Sequence, residues 1–257
     1  MVYIYDHIGD SMVYNVQMNV LIVFLLVLLV AGIMSYFSFY YRSRLFGKML
    51  IGVNTDEKVI AVTYDDGPNG QYTVDIAKAF ERVGGKATFF MVAKNATKHK
   101  STINYLLEKH HEVGLHSYSH AFHKYITDPL FNNELTRSQD IMNNIGLSGI
   151  KYFRFPWLYR NPWVYKSVAS RGYVIVSGQF AHGLEPFQVN STKIYRHCLK
   201  IAKPGSIIIF HDGYNGEPEA NRKQTLEATQ LLINNLHSQG YKFVSISELL
   251  QYGKAIY

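Results

Sequence analysis

From Val59 onward the sequence alternates short β-type runs with helical stretches, and no other feature restricts its possible folds as strongly. The β-type runs are Val59 to Tyr64, Ala87 to Val92, Glu112 to Leu115, Tyr152 to Arg154, Tyr173 to Ser177, Ser206 to Phe210 and Lys242 to Val244. Between them, helices are predicted over Tyr72 to Val83, Ser101 to Lys109, Leu130 to Asn144, Pro162 to Arg171, Lys193 to Ala202 and Lys223 to Ser238, each ending near Gly, Pro or a polar turn. Strands linked through helices run parallel, so the expected core is a parallel sheet, open or closed into a barrel.

The reactive residue types fall at one place in each unit. Asp65 and Asp66 follow the first run, His116 follows the third, Arg154 ends the fourth and His211 follows the sixth. In parallel α/β folds the C-terminal strand ends share one face, where active sites form, so these distant residues are expected in one pocket.

A chain of 257 residues suits one dominant core plus a short appendage. With 47% hydrophobic and 18% charged residues, it is neither disordered nor of low complexity. Cys198 is the single cysteine, which excludes an intramolecular disulfide framework and a cysteine-based zinc cluster; it is expected as a small buried apolar residue. The net charge is +7, and every Lys and Arg lies after Tyr41. A basic body can favour nucleic acid, an anionic membrane face or an acidic polymer. No Arg/Lys-rich helix, zinc-finger spacing or RNA-binding signature is present, so nucleic acid is not expected, and no obligate protein partner is evident.

Residues Val20 to Tyr41 carry no charge, and as a helix would measure roughly 33 Å, enough to cross a bilayer core. The run is longer than a signal core and lacks a preceding basic region, so a retained single-pass anchor is expected. Aromatic residues from Tyr36 to Tyr41 suit the membrane interface, and Arg42, Arg44 and Lys48 follow. The expected layout is a short N-terminal segment 1–19, a transmembrane helix 20–41, a linker 42–56 and a folded domain 57–252. The positive-inside rule favours a cytoplasmic domain. The sequons at Asn95 and Asn190 are compatible with a lumenal or extracellular one, and topology stays open.

Thr63-Tyr64-Asp65-Asp66-Gly67-Pro68 sets two adjacent carboxylates where a strand breaks into a turn, letting one bind a cation while the other removes a proton from water. The bland alternative is an ordinary Asp-Gly-Pro turn. His116-Ser117-Tyr118-Ser119-His120 spaces two imidazoles by four residues, which can grip a divalent metal, or can be two polar loop histidines. A metalloprotease would carry Glu directly after the first His, and Ser117 stands there. Phe153-Arg154-Phe155-Pro156-Trp157 brings a guanidinium to a strand end, and Gly205 to Gly213 delivers His211 from a buried apolar strand.

In order and spacing, TYDDGP, HSYSH, RFPW and IIIFHDG resemble the NodB-homology polysaccharide deacetylases, carbohydrate esterase family 4, over roughly Glu57 to Leu250. The resemblance implies a distorted, incomplete (β/α)7 barrel. It implies Asp66, His116 and His120 as ligands of a divalent metal, zinc foremost, with cobalt, nickel or manganese as alternatives. It further implies Asp65 as base, His211 as acid and Arg154 orienting Asp65. Ser117 would steady the metal loop, and Tyr64, Pro156, Trp157 and Ile209 would contact an N-acetylated glycan such as chitin, a chitooligosaccharide or peptidoglycan.

The sequence departs from the family at its fourth motif, usually an Asp-Trp pair. Ser177 to Pro186 contains neither residue, leaving Glu185 as a candidate brace for Arg154 and Phe180 or Leu184 as candidate wall residues. Phe155 and Leu158 replace a common proline and glycine. An O-acetyl glycan esterase uses the same residues, and a carbohydrate-binding protein on a decayed enzyme fold is the competing class. A glycosidase fits poorly, because adjacent Asp65 and Asp66 cannot straddle a glycosidic bond.

Overall fold

A computed structural model describes residues 2–128, 131–217 and 219–257, with side chains from residue 13 onward. It divides into two compact units, residues 1–40 and 41–257. The first is one helix, α1 (Val2–Phe39), in which Val13–Phe39 is 27 residues long with mean hydropathy 2.9 and no buried side chains in its apolar window. It is long and apolar enough to span a bilayer. The helix runs continuously through residues 19 and 20, where the expected boundary between N-terminal segment and span falls.

The second unit contains, in chain order, β1 (Gly52–Asn54), β2 (Val59–Asp65), α2 (Gly70–Glu81), β3 (Thr88–Met91), α3 (Ala93–Ala96), α4 (Lys100–Glu108) and β4 (Glu112–Leu115). Then come α5 (Lys124–Thr127), α6 (Asn132–Asn144), β5 (Tyr152–Phe153), α7 (Pro162–Ser170), β6 (Val174–Ile175), β7 (Gln179–Phe180), α8 (Ser191–Ile201), β8 (Ile207–His211), α9 (Lys223–Ser238), β9 (Lys242–Phe243), α10 (Ile246–Leu249) and β10 (Lys254–Ile256). The expected start of the third helix at Leu130 lies outside the described residues.

The main sheet is ordered β6-β5-β4-β3-β2-β8-β7, with β9 pairing the start of β2, and every pairing in it is parallel. This is the incomplete (β/α) barrel that was expected. Alternation along β2 sorts its side chains. Ile60, Val62 and Tyr64 join the layer between sheet and helices, whereas Val59 and Ala61 join a smaller cluster with Leu50, Val53, Phe90 and Ile207. Each fully buried large apolar side chain in these layers contributes about 1.5–3 kcal/mol.

The stretch 42–56 is more than a linker. Leu50 bridges Val176 beside β6, Gly52 bridges Ser206 beside β8, and β1 pairs antiparallel with β10. Leu50 and Val53 are buried, so this segment fills part of the space that an incomplete barrel would leave open. The strand β10 likewise carries the folded unit past the expected boundary at residue 252.

Candidate active site

Asp65 ends β2 and Asp66 follows with φ 75°, a left-handed conformation that stops the strand alternation and lets neighbouring carboxylates address one cleft. Ser117, His120, Trp157, Leu158 and Asn215 are also left-handed, so backbone strain gathers around this site. The crossing loops are tightly apposed: a Cβ on Gly67 would lie 2.3 Å from the Asp212 carboxylate, and one on Gly213 would lie 2.3 Å from the Asp66 carbonyl. The cleft encloses about 290 Å³ and is lined by Asp65, Asp66, His116, His120, Trp157 and His211, among others.

Asp66, His116 and His120 are buried, and one donor atom from each lies within 4.8 Å of the others. His120 Nε2 is 2.9 Å and His116 Nε2 3.4 Å from Asp66 Oδ1. Donors that share one small cation at about 2.0–2.1 Å each are spaced in this way. His116 Nδ1 faces the Arg154 carbonyl at 2.9 Å; that oxygen only accepts, so Nδ1 carries the proton and the Nε2 lone pair faces Asp66. Asp66 Oδ1 is buried without a hydrogen-bond donor, which suits a cation ligand.

The loop between the histidines is pinned from both sides. Ser117 Oγ accepts the His120 N–H at 3.0 Å. Glu134, buried in the first turn of α6, accepts the N–H groups of Tyr118 and Ser119 at 3.1 and 2.9 Å and the Ser119 hydroxyl at 2.9 Å. Asp66 Oδ2 accepts the Asn215 N–H at 2.8 Å. Nothing in the sequence spacing marks Glu134 or Asn215 for these tasks.

Asp65 and His211 are register partners on the neighbouring parallel strands β2 and β8. Arg154 donates to Asp65 Oδ1 and to Thr63 Oγ1, both at 2.7 Å, and to the Ser177 carbonyl at 3.2 Å. Its guanidinium also lies 4.1 Å from the Phe90 ring centroid. The sequence-based brace for this arginine, Glu185, lies elsewhere: its Oε2 accepts from His211 Nδ1 at 2.6 Å. Glu185 Oε1 accepts from Arg222 at 2.7 Å and from the Thr225 hydroxyl, and Arg222 also donates to the His211 carbonyl at 3.0 Å. Burial favours neutral His211, yet the Glu185 carboxylate overcomes it and holds the imidazole above its ordinary pKa, with Asp66 and Asp65 adding to the effect.

Of the expected substrate contacts, Trp157 and the wall candidate Phe180 line the cleft; Tyr64, Pro156 and Ile209 do not. Tyr64 faces the helical layer, stacked 5.2 Å from Phe89 and 5.6 Å from Phe210 between centroids, with its hydroxyl 2.8 Å from Thr229 Oγ1. Its position one residue from Asp65 on a strand explains this. Ile209 shares the His211 face but lies two residues deeper, beside Thr63, and is fully buried. Pro156 is also buried, and its carbonyl accepts from the Tyr125 hydroxyl at 3.3 Å. Leu184 is exposed outside the cleft, while Leu158, Pro186, Phe187 and Tyr214 complete part of its lining.

Asp212 is a buried neighbour of the site that sequence reasoning missed. Burial pushes its pKa up to about 7, against a hydrogen bond from Thr73. Cys198 is buried as expected, and burial raises its thiol pKa. Asn95 is buried and donates to the Gly216 carbonyl at 2.8 Å, so this sequon offers no free amide for a glycan in the folded protein.

The sequence matches the family model described as "Polysaccharide deacetylase" over residues 52–176. A peptidoglycan-N-acetylglucosamine deacetylase of Bacillus cereus is 30% identical over 201 residues, covering 78% of this chain and 92% of the relative. The chain belongs to the polysaccharide deacetylase family. Membership makes it a hydrolase in a metal-dependent family, in keeping with the Asp-His-His group. Among solved structures, the Xyl-CE4 domain of a multidomain xylanase from the hindgut metagenome of Trinervitermes trinervoides has 30% identity and a TM-score of 0.66, covering 76% of this chain and 90% of that one. A family 4 acetyl xylan esterase from Clostridium thermocellum, solved with a cobalt ion, has 26% identity and a TM-score of 0.65, covering 76% and 91% respectively.

Proposed function

We propose that this polysaccharide deacetylase is a membrane-anchored enzyme that hydrolyses the acetamide of N-acetylated sugars in peptidoglycan- or chitin-type glycans. The observation that carries the reading is the opposition of Asp65 and His211 on paired strands beside the Asp66, His116 and His120 donors. The first relative's activity on peptidoglycan N-acetylglucosamine supports the substrate class.

Asp66, His116 and His120 would hold a divalent cation, zinc in our reading, whose Lewis acidity would polarise the acetyl carbonyl and acidify water. Asp65 takes the proton from the attacking water, its carboxylate aimed by the hydrogen bond from Arg154. His211 carries its acid proton on the nitrogen remote from Glu185 and gives it to the departing amine as the C–N bond breaks. Acetate and a free amino sugar result. Trp157, whose ring lies 4.3 Å from that of His120 between centroids, gives the acetyl end of the cleft an aromatic wall.

The test is acetate release by the full chain from chitooligosaccharides and peptidoglycan fragments, before and after chelation. Release that stops on chelation and returns with zinc is the expected result. Release untouched by thorough chelation would overturn the metal assignment. The acetyl xylan esterase neighbour motivates a second reading, hydrolysis of O-acetyl esters, which acetylated xylan in the same assay separates from the first.

A further inference from the structure

We propose that a basic pocket at the opposite end of the catalytic unit binds the phosphate of an anionic phospholipid headgroup. This rests on reading Val13–Phe39 as a membrane span.

The pocket encloses about 480 Å³, and Arg42, Lys200 and Lys203 are among its lining residues, which include no Asp or Glu. All three cations are exposed, and among the described residues none forms an ion pair. Lys200 lies in the last turn of α8, and Lys203 opens the turn that leads into β8. Three like charges around one concavity repel each other, and an anion seated among them removes that cost.

Position selects the kind of anion. Ser206 lines this pocket and immediately precedes β8, whose five residues end at His211 in the cleft. At about 3.3 Å per residue, the two sites are separated by roughly 16 Å along one strand, so the pocket is no part of the glycan cleft. Arg42 is the third residue after Phe39, and three residues reach at most about 11 Å. With the helix in a bilayer, connectivity alone therefore brings Arg42 to the headgroup region, where anionic phosphates are concentrated. The pocket thus accounts for basic charge that the catalytic reading leaves unused.

The experiment uses the full chain in neutral-detergent micelles, titrated with phosphatidylglycerol or phosphatidylcholine and read by native mass spectrometry. Phosphatidylglycerol is expected to be retained at least about tenfold more tightly than phosphatidylcholine. The double substitution Lys200→Gln and Lys203→Gln should remove that preference while acetate release continues at the unaltered rate. Equal retention of the two lipids, or a preference that survives the double substitution, overturns the proposal. So does binding of inorganic phosphate or heparin without binding of phosphatidylglycerol. A chain that leaves membranes on alkaline washing defeats the underlying span, whereas one that stays but ignores headgroup charge defeats the pocket alone.

Discussion

The two walls of the cleft solve opposite electrostatic problems with the same device. On one wall a buried guanidinium, Arg154, holds the Asp65 carboxylate; on the other a buried carboxylate, Glu185, holds the His211 imidazole and is itself held by Arg222. The first wall is built from strand ends. The second borrows Glu185 from a short 3-10 turn and Arg222 from the residue preceding α9. An ionisable pair can therefore be equally buried and equally close whether or not regular structure delivers it.

The strongest way to break the comparison is at Asp65, the proposed base. Asp65→Asn should lower kcat by about 10²- to 10⁴-fold, the usual worth of a general base, with bound metal retained on elemental analysis. Undiminished turnover would remove Asp65 from the mechanism. Next, Arg154→Gln leaves the buried Asp65 charge unpaired and is expected to cost about 3–5 kcal/mol. At about 2–4 °C per kcal/mol, a drop in Tm of roughly 6–20 °C by calorimetry would match.

The acid wall is sharpened by pH. Because Glu185 raises the His211 pKa, the protonated imidazole, the proposed acid, survives to higher pH than an ordinary one would allow. Glu185→Gln removes the raising charge and leaves burial, which favours the neutral ring. The alkaline limb of kcat/KM should therefore move to lower pH, with the largest relative loss above neutrality. A limb that stays in place would sever Glu185 from the acid. The smallest effect is expected at Tyr64→Phe, which forfeits one buried hydroxyl contact with Thr229, about 1 kcal/mol in a denaturant melt, and leaves KM unchanged. A large rise in KM would return Tyr64 to the list of substrate contacts.

The contrast between the walls also explains what the amino-acid pattern revealed. Asp65, Arg154 and His211 were legible because each terminates or directly follows an apolar run whose direction is set by parallel pairing. The grouping of Asp66, His116 and His120 was legible because four-residue histidine spacing and adjacent carboxylates carry a recognisable chemistry. Glu185 was noticed but given the wrong partner, since a 3-10 turn has no period from which its direction can be read. Arg222 and Glu134 were missed, because their partners are brought together by tertiary packing of helices against loops. Tyr64, which the resemblance implied as a substrate contact, lies away from the cleft because strand alternation sends it to the face opposite Asp65. At the edges, β1 and β10 are three residues each, and β7 has only two, so neither alternation nor length could announce them.

The register between Asp65 and His211 has a consequence for how such an enzyme can change. Asp65 and His211, the proposed base and acid, face each other across one rung of a hydrogen-bonded ladder, so their separation follows the spacing between strands and not the length or composition of any loop. The loops that carry Trp157, Phe187 and Tyr214 can then vary in shape without altering the distance between these two proposed proton-transfer groups. Substrate range and chemical competence become separately adjustable traits.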